Sequence, residues 1–241
     1  MPVLDPVQPW SDVRLVAFDV DGTLVENDHG LVVWQVLNDL YVGDAALAEE
    51  RFRQFLAGEL TYAEWVRLDV EGWRSGGATR MGIESAIREH LRLVPSAREV
   101  TSELRSRGYT LAVISGTLDV VLDVLFPNHP FHHVYTNRIA FDDAGAISSW
   151  EATPYDMDGK ADAVKVLAGN LQIDPRHIVF VGDNLNDCSA MELVGRAVGY
   201  DPKHEKVRSL AQCVLPSGGL RGLLDFLPGC SHPETGCSSC E

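Results

Sequence analysis

The chain has 241 residues, of which 45% are hydrophobic, and a formal net charge of −15 at pH 7. This hydrophobic content is typical of globular proteins, and the negative charge would repel nucleic-acid phosphates and anionic lipids, so we expect neither as a partner. No apolar run reaches the roughly 18 residues of a transmembrane helix, and the first ten residues lack the features of a secretory signal. We therefore expect a cytoplasmic protein.

The first predicted element is a strand. In "RLVAFDVDGTLVEND", apolar residues run from Leu15 to Phe18, and two carboxylates, Asp19 and Asp21, follow directly. A short apolar run is typical of a strand buried on both faces, and such a strand normally ends in a turn residue rather than in paired charges. We therefore expect the two carboxylates to belong to a functional site.

The next segment, residues 27–93, is predicted to be helical. Four stretches, "GLVVWQVLNDLY", "DAALAEERFRQFLAG", "TYAEWVRLDVEGW" and "IESAIREHLRL", are separated by turns that contain glycine, and no strand pattern is clear. We interpret this segment as a helical cap inserted after the first strand, over the site. The alternative is that these helices extend the core.

Beyond the cap, two further apolar runs end in polar residues. "YTLAVISGT" leads to Ser115, and "HIVFVGDNLND" leads to Asp183 and then Asp187. The stretch "TNRIAFDDAGAISSWEA" alternates around "DDAG", which predicts a β-hairpin. Helices are predicted in "SAREVTSELRSRG", with Ser96 as N-cap, and in "GKADAVKVLAGN", with Lys160 at its start.

Strands that alternate with helices predict an α/β fold, a doubly wound parallel sheet with a Rossmann-like core and a helical cap insert. The predicted core comprises residues 1–26 and 94–228, the cap residues 27–93, and a cysteine-containing tail residues 229–241. Ligands of such sheets bind beyond the carboxyl ends of the strands. We therefore expect the three polar clusters to meet there.

The tail "CSHPETGCSSC" contains four residues of types that bind zinc, Cys230, His232, Cys237 and Cys240. The alternative is a flexible polar terminus with incidental thiols. The spacing is not a strong zinc-finger pattern, which favours the alternative.

The acidic clusters suit phosphoryl transfer. A carboxylate such as Asp19 can attack phosphorus as a nucleophile, and a second carboxyl group such as Asp21 can protonate the leaving oxygen and then activate water. Mg²⁺ takes a few carboxylates together with waters and phosphate oxygens. Asp19, Asp183 and Asp187 would suit it.

Partners for phosphate oxygens are also present. Ser115, with the amides of Gly116 and Thr117, offers hydrogen bonds, and Lys160 offers positive charge at a helix start. Taken singly, each has a simpler interpretation, as a turn serine, a solvated lysine or a helix-capping aspartate. Their order along the chain argues against coincidence.

"DVDGT", "ISGT", "GKADAV" and "GDNLND" resemble the four motifs of the haloacid dehalogenase superfamily, over nearly the whole chain from Arg14 to about Leu227. The resemblance implies Asp19 as nucleophile and Asp21 as general acid and base. It also implies that Ser115 and Lys160 stabilise the phosphate and the nucleophile.

The resemblance further implies a Mg²⁺ site formed by Asp19, Asp183 and the backbone carbonyl of Asp21, with Asp187 in support. Asp21 favours a phosphatase over a dehalogenase, because dehalogenation has no leaving oxygen that needs a proton.

Within the superfamily, the cap, "TNRIAFDDAGAI" and "GDNLND" are similar to phosphoserine phosphatases. Asp28 falls where those enzymes carry a cap glutamate, and Asp69 where they carry an arginine, with Arg67 two residues before it. An amino or hydroxyl-rich substrate would suit the two acids better than a second anion, so phosphoserine is expected to be hydrolysed but not preferred. The predicted substrate-binding residues are Asp28, Arg67, Asp69, Ser115, Gly116, Lys160 and Asn186.

The sequence therefore predicts a Mg²⁺-dependent phosphomonoester hydrolase that acts on a small phosphorylated metabolite through an aspartyl-phosphate. A phosphotransferase would use the same intermediate and is an alternative. A phosphoacceptor signalling domain also uses a doubly wound sheet and an aspartate, but it would need neither Asp21 nor a cap. The oligomeric state is not predicted.

Overall fold

The central element of the fold is a seven-stranded sheet, seen in a computed structural model that describes residues 8–229. The strands are β1 Leu15–Phe18, β2 Val25–Glu26, β3 Arg92–Leu93, β4 Thr110–Leu118, β5 His133–Phe141, β6 Ile147–Glu151, β7 Ile178–Gly182, β8 Arg196–Tyr200 and β9 Cys213–Leu215. The helices are α1 Val33–Tyr41, α2 Ala45–Leu56, α3 Tyr62–Ser75, α4 Arg80–His90, α5 Ala97–Ser106, α6 Asp119–Leu125, α7 Lys160–Leu171, α8 Cys188–Leu193, α9 Glu205–Leu210 and α10 Leu223–Phe226. The four tail residues considered for zinc lie outside the described part of the chain.

The sheet has the order β6-β5-β4-β1-β7-β8-β9, and only the β5–β6 pair is antiparallel. The predicted α/β class with a mostly parallel sheet is confirmed. Strand β1 lies at the centre, where Phe18 is level with Val113 of β4 and Val181 of β7. The carboxyl ends of these three strands are therefore neighbours, and the chain order switches direction there, as in ligand-binding α/β sheets.

Alternation along β1 creates the two layers that cover the sheet. Val16 and Phe18 belong to one buried cluster and Leu15 and Ala17 to the other, as expected for successive residues on opposite faces of a strand. Both faces are apolar because helices cover both, which explains the uninterrupted apolar run in the sequence.

The segment predicted to form the cap contains helices α1 to α4, which lie in chain order between the paired strands β2 and β3. These strands form a two-stranded antiparallel ribbon in which Val25 pairs with Leu93. Helices α2, α3 and α4 start at Asp44, Thr61 and Thr79, whose side chains each accept a backbone hydrogen bond. Such N-caps are visible in the sequence and explain why the helices begin where they do. The sequence showed no clear strand pattern in residues 27–93, so β3 was not anticipated.

Two further predictions concern single elements. The hairpin around "DDAG" forms as β5 and β6. Helix α5 begins after Ser96 as predicted, but Ser96 has a φ of 67° and its side chain makes no capping hydrogen bond. A capping residue typically has an extended backbone, which Ser96 does not have, so the side-chain capping role predicted for Ser96 is wrong. Among residues 8–229, no helix has both the length and the apolarity required to cross a membrane.

A buried polar network joins three cap helices. The indole Nε1 of Trp73 donates to Asn38 Oδ1 at 2.7 Å, and Asn38 Nδ2 donates to Asp69 Oδ2 at 3.3 Å. Arg51 donates to the other carboxylate oxygen of Asp69 at 2.5 Å. Asp69 is 2% exposed, so its charge depends on these partners.

We expect Trp73→Phe to lower the free energy of unfolding by about 1–3 kcal/mol, because the buried Asn38 oxygen loses its indole donor. At roughly 2–4 °C per kcal/mol for a chain of this size, the change is measurable by thermal denaturation. Trp150→Phe is the matched control, since Trp150 is only partly buried and lies on β6. Equal melting temperatures for the two variants would contradict the network's contribution.

Candidate active site

Three buried carboxylates lie at the carboxyl ends of β1 and β7. Asp19 continues β1 and donates its backbone N–H to Val181 O at 2.9 Å, and Asp183 follows β7 directly. Asp187 lies in a short 3₁₀ turn that begins after Asn184. One carboxylate oxygen from each of the three aspartates lies within 4.8 Å of the others. The sheet thus brings together the acidic groups of the first and last motifs.

Lys160 is the cation of this cluster and is fully buried. Its Nζ donates to Asp19 Oδ1 at 2.7 Å and to Asp187 Oδ1 at 2.6 Å. Burial alone would lower the pKa of Lys160, but the Asp187 and Asp19 carboxylates outweigh that effect and raise it. The simpler interpretation of Lys160 as a solvated lysine is therefore wrong. It is the first residue of α7, and that helix carries it beneath the strand ends.

Asp187 both caps a turn and pairs with the lysine. Its Oδ2 accepts the backbone N–H groups of Asp183 at 2.9 Å and Asn184 at 3.0 Å, while its Oδ1 accepts from Lys160. Gly182 leaves room for this carboxylate, because a Cβ at that position would lie 2.4 Å from the Asp187 carboxyl carbon. The capping and site interpretations of this aspartate thus describe the same contacts.

The electrostatics of the cluster fit a divalent cation. Burial, opposed by Lys160, raises the pKa of Asp19 to about 7, and burial with the charges of Asp187 and Asp19 raises the pKa of Asp183 well above its ordinary value. Three carboxylates around one ammonium leave excess negative charge, which a hard cation with oxygen ligands would neutralise. The donor set therefore fits a metal ion, held by Asp19 and Asp183 with Asp187 in support.

The Asp21 side chain interacts with the backbone N–H of Val33, the first residue of α1, and its charge acts on Asp19. Burial raises the pKa of its carboxyl group to about 6, against the opposing effects of the Thr117 hydroxyl, Lys160 and the backbone N–H of Val33. A carboxyl group with this pKa can hold a proton near neutral pH and release it again.

The second motif forms a loop whose contacts reach the cap. Ser115 is buried, and its Oγ accepts the backbone N–H of Thr117 at 3.2 Å. The carbonyl oxygen of Gly116 accepts from Trp34 Nε1 of α1 at 2.7 Å and from Asn137 Nδ2 of β5 at 2.6 Å. This carbonyl therefore links the cap to the strand ends.

Two residues of this region were missed from the sequence. Asn137 is buried, donates also to the Tyr62 hydroxyl at 2.7 Å, and accepts the Thr153 N–H at 2.8 Å. A polar residue inside an otherwise alternating strand was the available signal. Asp156 accepts from Asn186 Nδ2 at 3.3 Å. The stretch "PYDMDG" around it has the composition of an ordinary turn, so no signal distinguished this aspartate.

The three cap residues predicted to bind substrate each form an ion pair with another side chain of the protein. Asp28 is exposed and pairs with Arg92 at 2.6 Å. Arg67 is also exposed and pairs with Glu71 at 2.7 Å, while Asp69 belongs to the buried cap network described above. These contacts place none of the three in the cluster around Lys160, whereas Asn186 reaches the loop that carries Asp156.

Comparison with known proteins gives the family. The model of haloacid dehalogenase-like hydrolases matches residues 13–195. The chain belongs to the haloacid dehalogenase-like hydrolase family. The predicted superfamily is thereby confirmed, and this range contains all four motifs quoted from the sequence.

Similar proteins are named phosphoserine phosphatases. One from Archaeoglobus fulgidus is 26% identical over 92% of this chain and 63% of its own length, and one from Mycobacterium tuberculosis is 28% identical over 93% and 53%. The chain thus spans less than two thirds of these two relatives. A solved phosphoserine phosphatase with an analogue of the phospho-aspartyl intermediate has a TM-score of 0.68 at 22% identity, covering 89% of this chain and 99% of that one. This likeness shows the shared fold.

We expect Gly182→Ala to destabilise the protein by about 1–3 kcal/mol, because the added methyl group overpacks the Asp187 carboxylate. Gly169→Ala is the matched control, since a Cβ there meets no atom within 4 Å and an alanine in a helix interior is favourable. Thermal denaturation of both variants measures the difference. A melting temperature for Gly182→Ala at or above that of the control would show that the site tolerates displacement of Asp187.

Proposed function

We propose that this chain is a Mg²⁺-dependent phosphomonoester hydrolase that forms a phosphate ester on Asp19. The observation that carries the proposal is the contact of buried Lys160 with both Asp19 and Asp187. Asp21, the proposed proton donor, follows Asp19 by two residues. The names of the phosphoserine phosphatase relatives support phosphatase chemistry on a small phosphorylated metabolite.

Asp19 is positioned to be the nucleophile. Lys160 holds one of its carboxylate oxygens at 2.7 Å, so the other oxygen is oriented for attack on phosphorus. Mg²⁺, held by Asp19, Asp183 and the Asp21 backbone carbonyl with support from Asp187, would neutralise the phosphate charge that otherwise repels this nucleophile. Its place among these ligands follows from the cluster's charge and from the family resemblance.

The chemistry then proceeds in two steps. In the first, an Asp19 oxygen bonds to phosphorus, the ester P–O bond breaks, and Asp21 transfers its proton to the departing alcohol oxygen. In the second, Asp21 takes a proton from water as the water attacks phosphorus, and inorganic phosphate leaves with the Asp19 carboxylate restored. The Ser115 hydroxyl and the loop at Gly116 supply hydrogen bonds to the phosphate oxygens.

The first test is turnover of p-nitrophenyl phosphate with and without Mg²⁺. We expect hydrolysis that is lost on exhaustive chelation and restored by Mg²⁺, and Asp19→Asn should abolish it while leaving the circular dichroism spectrum unchanged. Asp162→Asn is the control, since Asp162 lies on the exposed face of α7 and pairs with Lys165. Full turnover after chelation, or by Asp19→Asn, would refute the proposal.

The second test separates the tasks of Asp19 and Asp21. General acid–base catalysis is worth about 10²–10⁴-fold, so Asp21→Asn should lose that much on alkyl phosphates. The loss should shrink for aryl phosphates, whose leaving groups need little protonation. Water attack then becomes limiting, and phosphate should accumulate on Asp19.

Mass spectrometry of quenched Asp21→Asn enzyme measures that adduct. Equal losses on alkyl and aryl esters, together with phosphate mapped to another residue, would assign the proton transfers elsewhere.

A further inference from the structure

Asp156 is a carboxylate of the site that the two proposed steps do not use. It precedes the 3₁₀ turn 157–159 and α7, and its Oδ1 accepts from Asn186 Nδ2 at 3.3 Å. Its carboxylate lies directly over Gly116, where a Cβ would come within 1.9 Å of Oδ2. Because Gly116 has no side chain, the Asp156 carboxylate can pack against the loop that is proposed to hold phosphate.

Asp156 lies between the loop at Gly116 and Tyr62 of helix α3. It hydrogen-bonds with the hydroxyl of Tyr62 on α3, and its charge acts on Asp21 and Lys160 as well. Tyr62 belongs to the cap, and Asp21 is the proposed proton donor to the ester oxygen. The alcohol portion of the substrate would therefore lie between these two residues, beside Asp156.

The charge balance beside Asp156 remains negative. The hydrogen bonds of Lys160 go to Asp19 and Asp187, and a Mg²⁺ ion held by the acidic cluster would be matched by the charge of a phosphate dianion. Lys160 also acts on Asp156 and Asp21 through its charge, but among the described residues no cation forms an ion pair with Asp156, and a carboxylate in this setting favours a positive partner.

A buried hydroxyl oxygen lies beside Asp21. The Thr117 hydroxyl interacts with the Asp21 carboxyl group and lowers its pKa, and its oxygen accepts no hydrogen bond from the described residues. Buried polar groups normally have partners. An ammonium group carries three donors, so it is a suitable partner both for a carboxylate and for an oxygen that accepts no hydrogen bond.

Most arginines of the cap, by contrast, form ion pairs with carboxylates of the cap itself. The segment 27–93 contains seven arginines and no lysine, and Arg74 lies over the ring of Trp150. The other six pair with carboxylates: Arg51, Arg53, Arg67, Arg80, Arg88 and Arg92. A substrate carboxylate would therefore find each of these six arginines already paired with an acid, whereas an ammonium group would meet the Asp156 carboxylate.

We propose that Asp156 selects phosphomonoesters whose alcohol carries an ammonium group and no carboxylate. The inference rests on the proposed function, because it concerns the leaving group of that reaction. Asp156 is a specificity-determining residue here, since it binds the departing alcohol and takes no part in the bond changes at phosphorus.

The experiment compares three esters of similar size with the intact protein and Mg²⁺: phosphoethanolamine, 2-hydroxyethyl phosphate and phosphoglycolate. They present an ammonium, a neutral hydroxyl and a carboxylate. We expect kcat/KM for the ammonium ester to exceed that for the hydroxyl ester by about tenfold or more, the scale of one charge-assisted hydrogen bond, and phosphoglycolate to be poorest. Phosphoserine, which carries both charges, should fall below phosphoethanolamine.

Asp156→Asn keeps the shape and the acceptor for Asn186 but removes the charge. It should lower the ratio of kcat/KM between the ammonium and hydroxyl esters by about tenfold, mainly by raising KM for the ammonium ester. Asp162→Asn removes an exposed charge from the adjacent helix α7 and should leave the ratio unchanged. An equal loss on all three esters would assign Asp156 a merely structural role and overturn the inference.

The ratio of kcat/KM between the ammonium and hydroxyl esters is measured on the wild-type protein. It therefore tests the inference even if Asp156→Asn does not fold. Equal use of the ammonium and hydroxyl esters, with normal turnover of p-nitrophenyl phosphate, would overturn the specificity and leave the phosphatase proposal intact. Failure to hydrolyse p-nitrophenyl phosphate or any of the esters would overturn both.

Discussion

The contact of one buried ammonium with two carboxylates is the constraint on which the site depends. An unpaired charge in the interior costs several kcal/mol, so Lys160 requires Asp19 and Asp187 beside it. Those partners come from β1 and from the turn after β7, and the lysine comes from α7. The contact therefore fixes three elements relative to one another at the carboxyl edge of the sheet, before any substrate or metal is considered.

A second set of contacts joins the cap to that edge. The Gly116 carbonyl accepts from Trp34 of the cap and from Asn137 of β5, and Asn137 also donates to Tyr62. Helix α1 is thus hydrogen-bonded directly to the loop that is proposed to hold phosphate, and α3 is linked to that loop through Asn137. Because the same tyrosine contacts Asp156, the position of the cap determines the surroundings of the leaving group as well as access to it.

The protein as a whole carries excess negative charge, and so does its candidate active site. Of the carboxylates at the strand ends, Asp19 and Asp187 are paired with Lys160, and in the proposed function Mg²⁺ would balance the remaining charge. Asp21 and Asp156 lie outside that cluster, beside the proposed position of the leaving alcohol. Burial is the main cause that raises the pKa of Asp21 to about 6, and the charge of Asp156 acts in the same direction. The same charge would favour a positively charged alcohol over an anionic one. Proton donation and substrate choice are therefore linked through Asp156.

The sequence by itself determined the sheet class, the family and the candidate catalytic residues, because apolar runs and the polar residues that end them are local features whose meeting point follows from parallel strands. It did not reveal which side chains fill the space between cap and core. Asp69 occupies an expected substrate position, yet the fold pairs it with Arg51 inside the cap. Asp156 stands in an unremarkable turn, yet the fold places it over Gly116. Only the tertiary structure decided these roles, since the free energy of a buried charge depends on partners that lie far away in sequence.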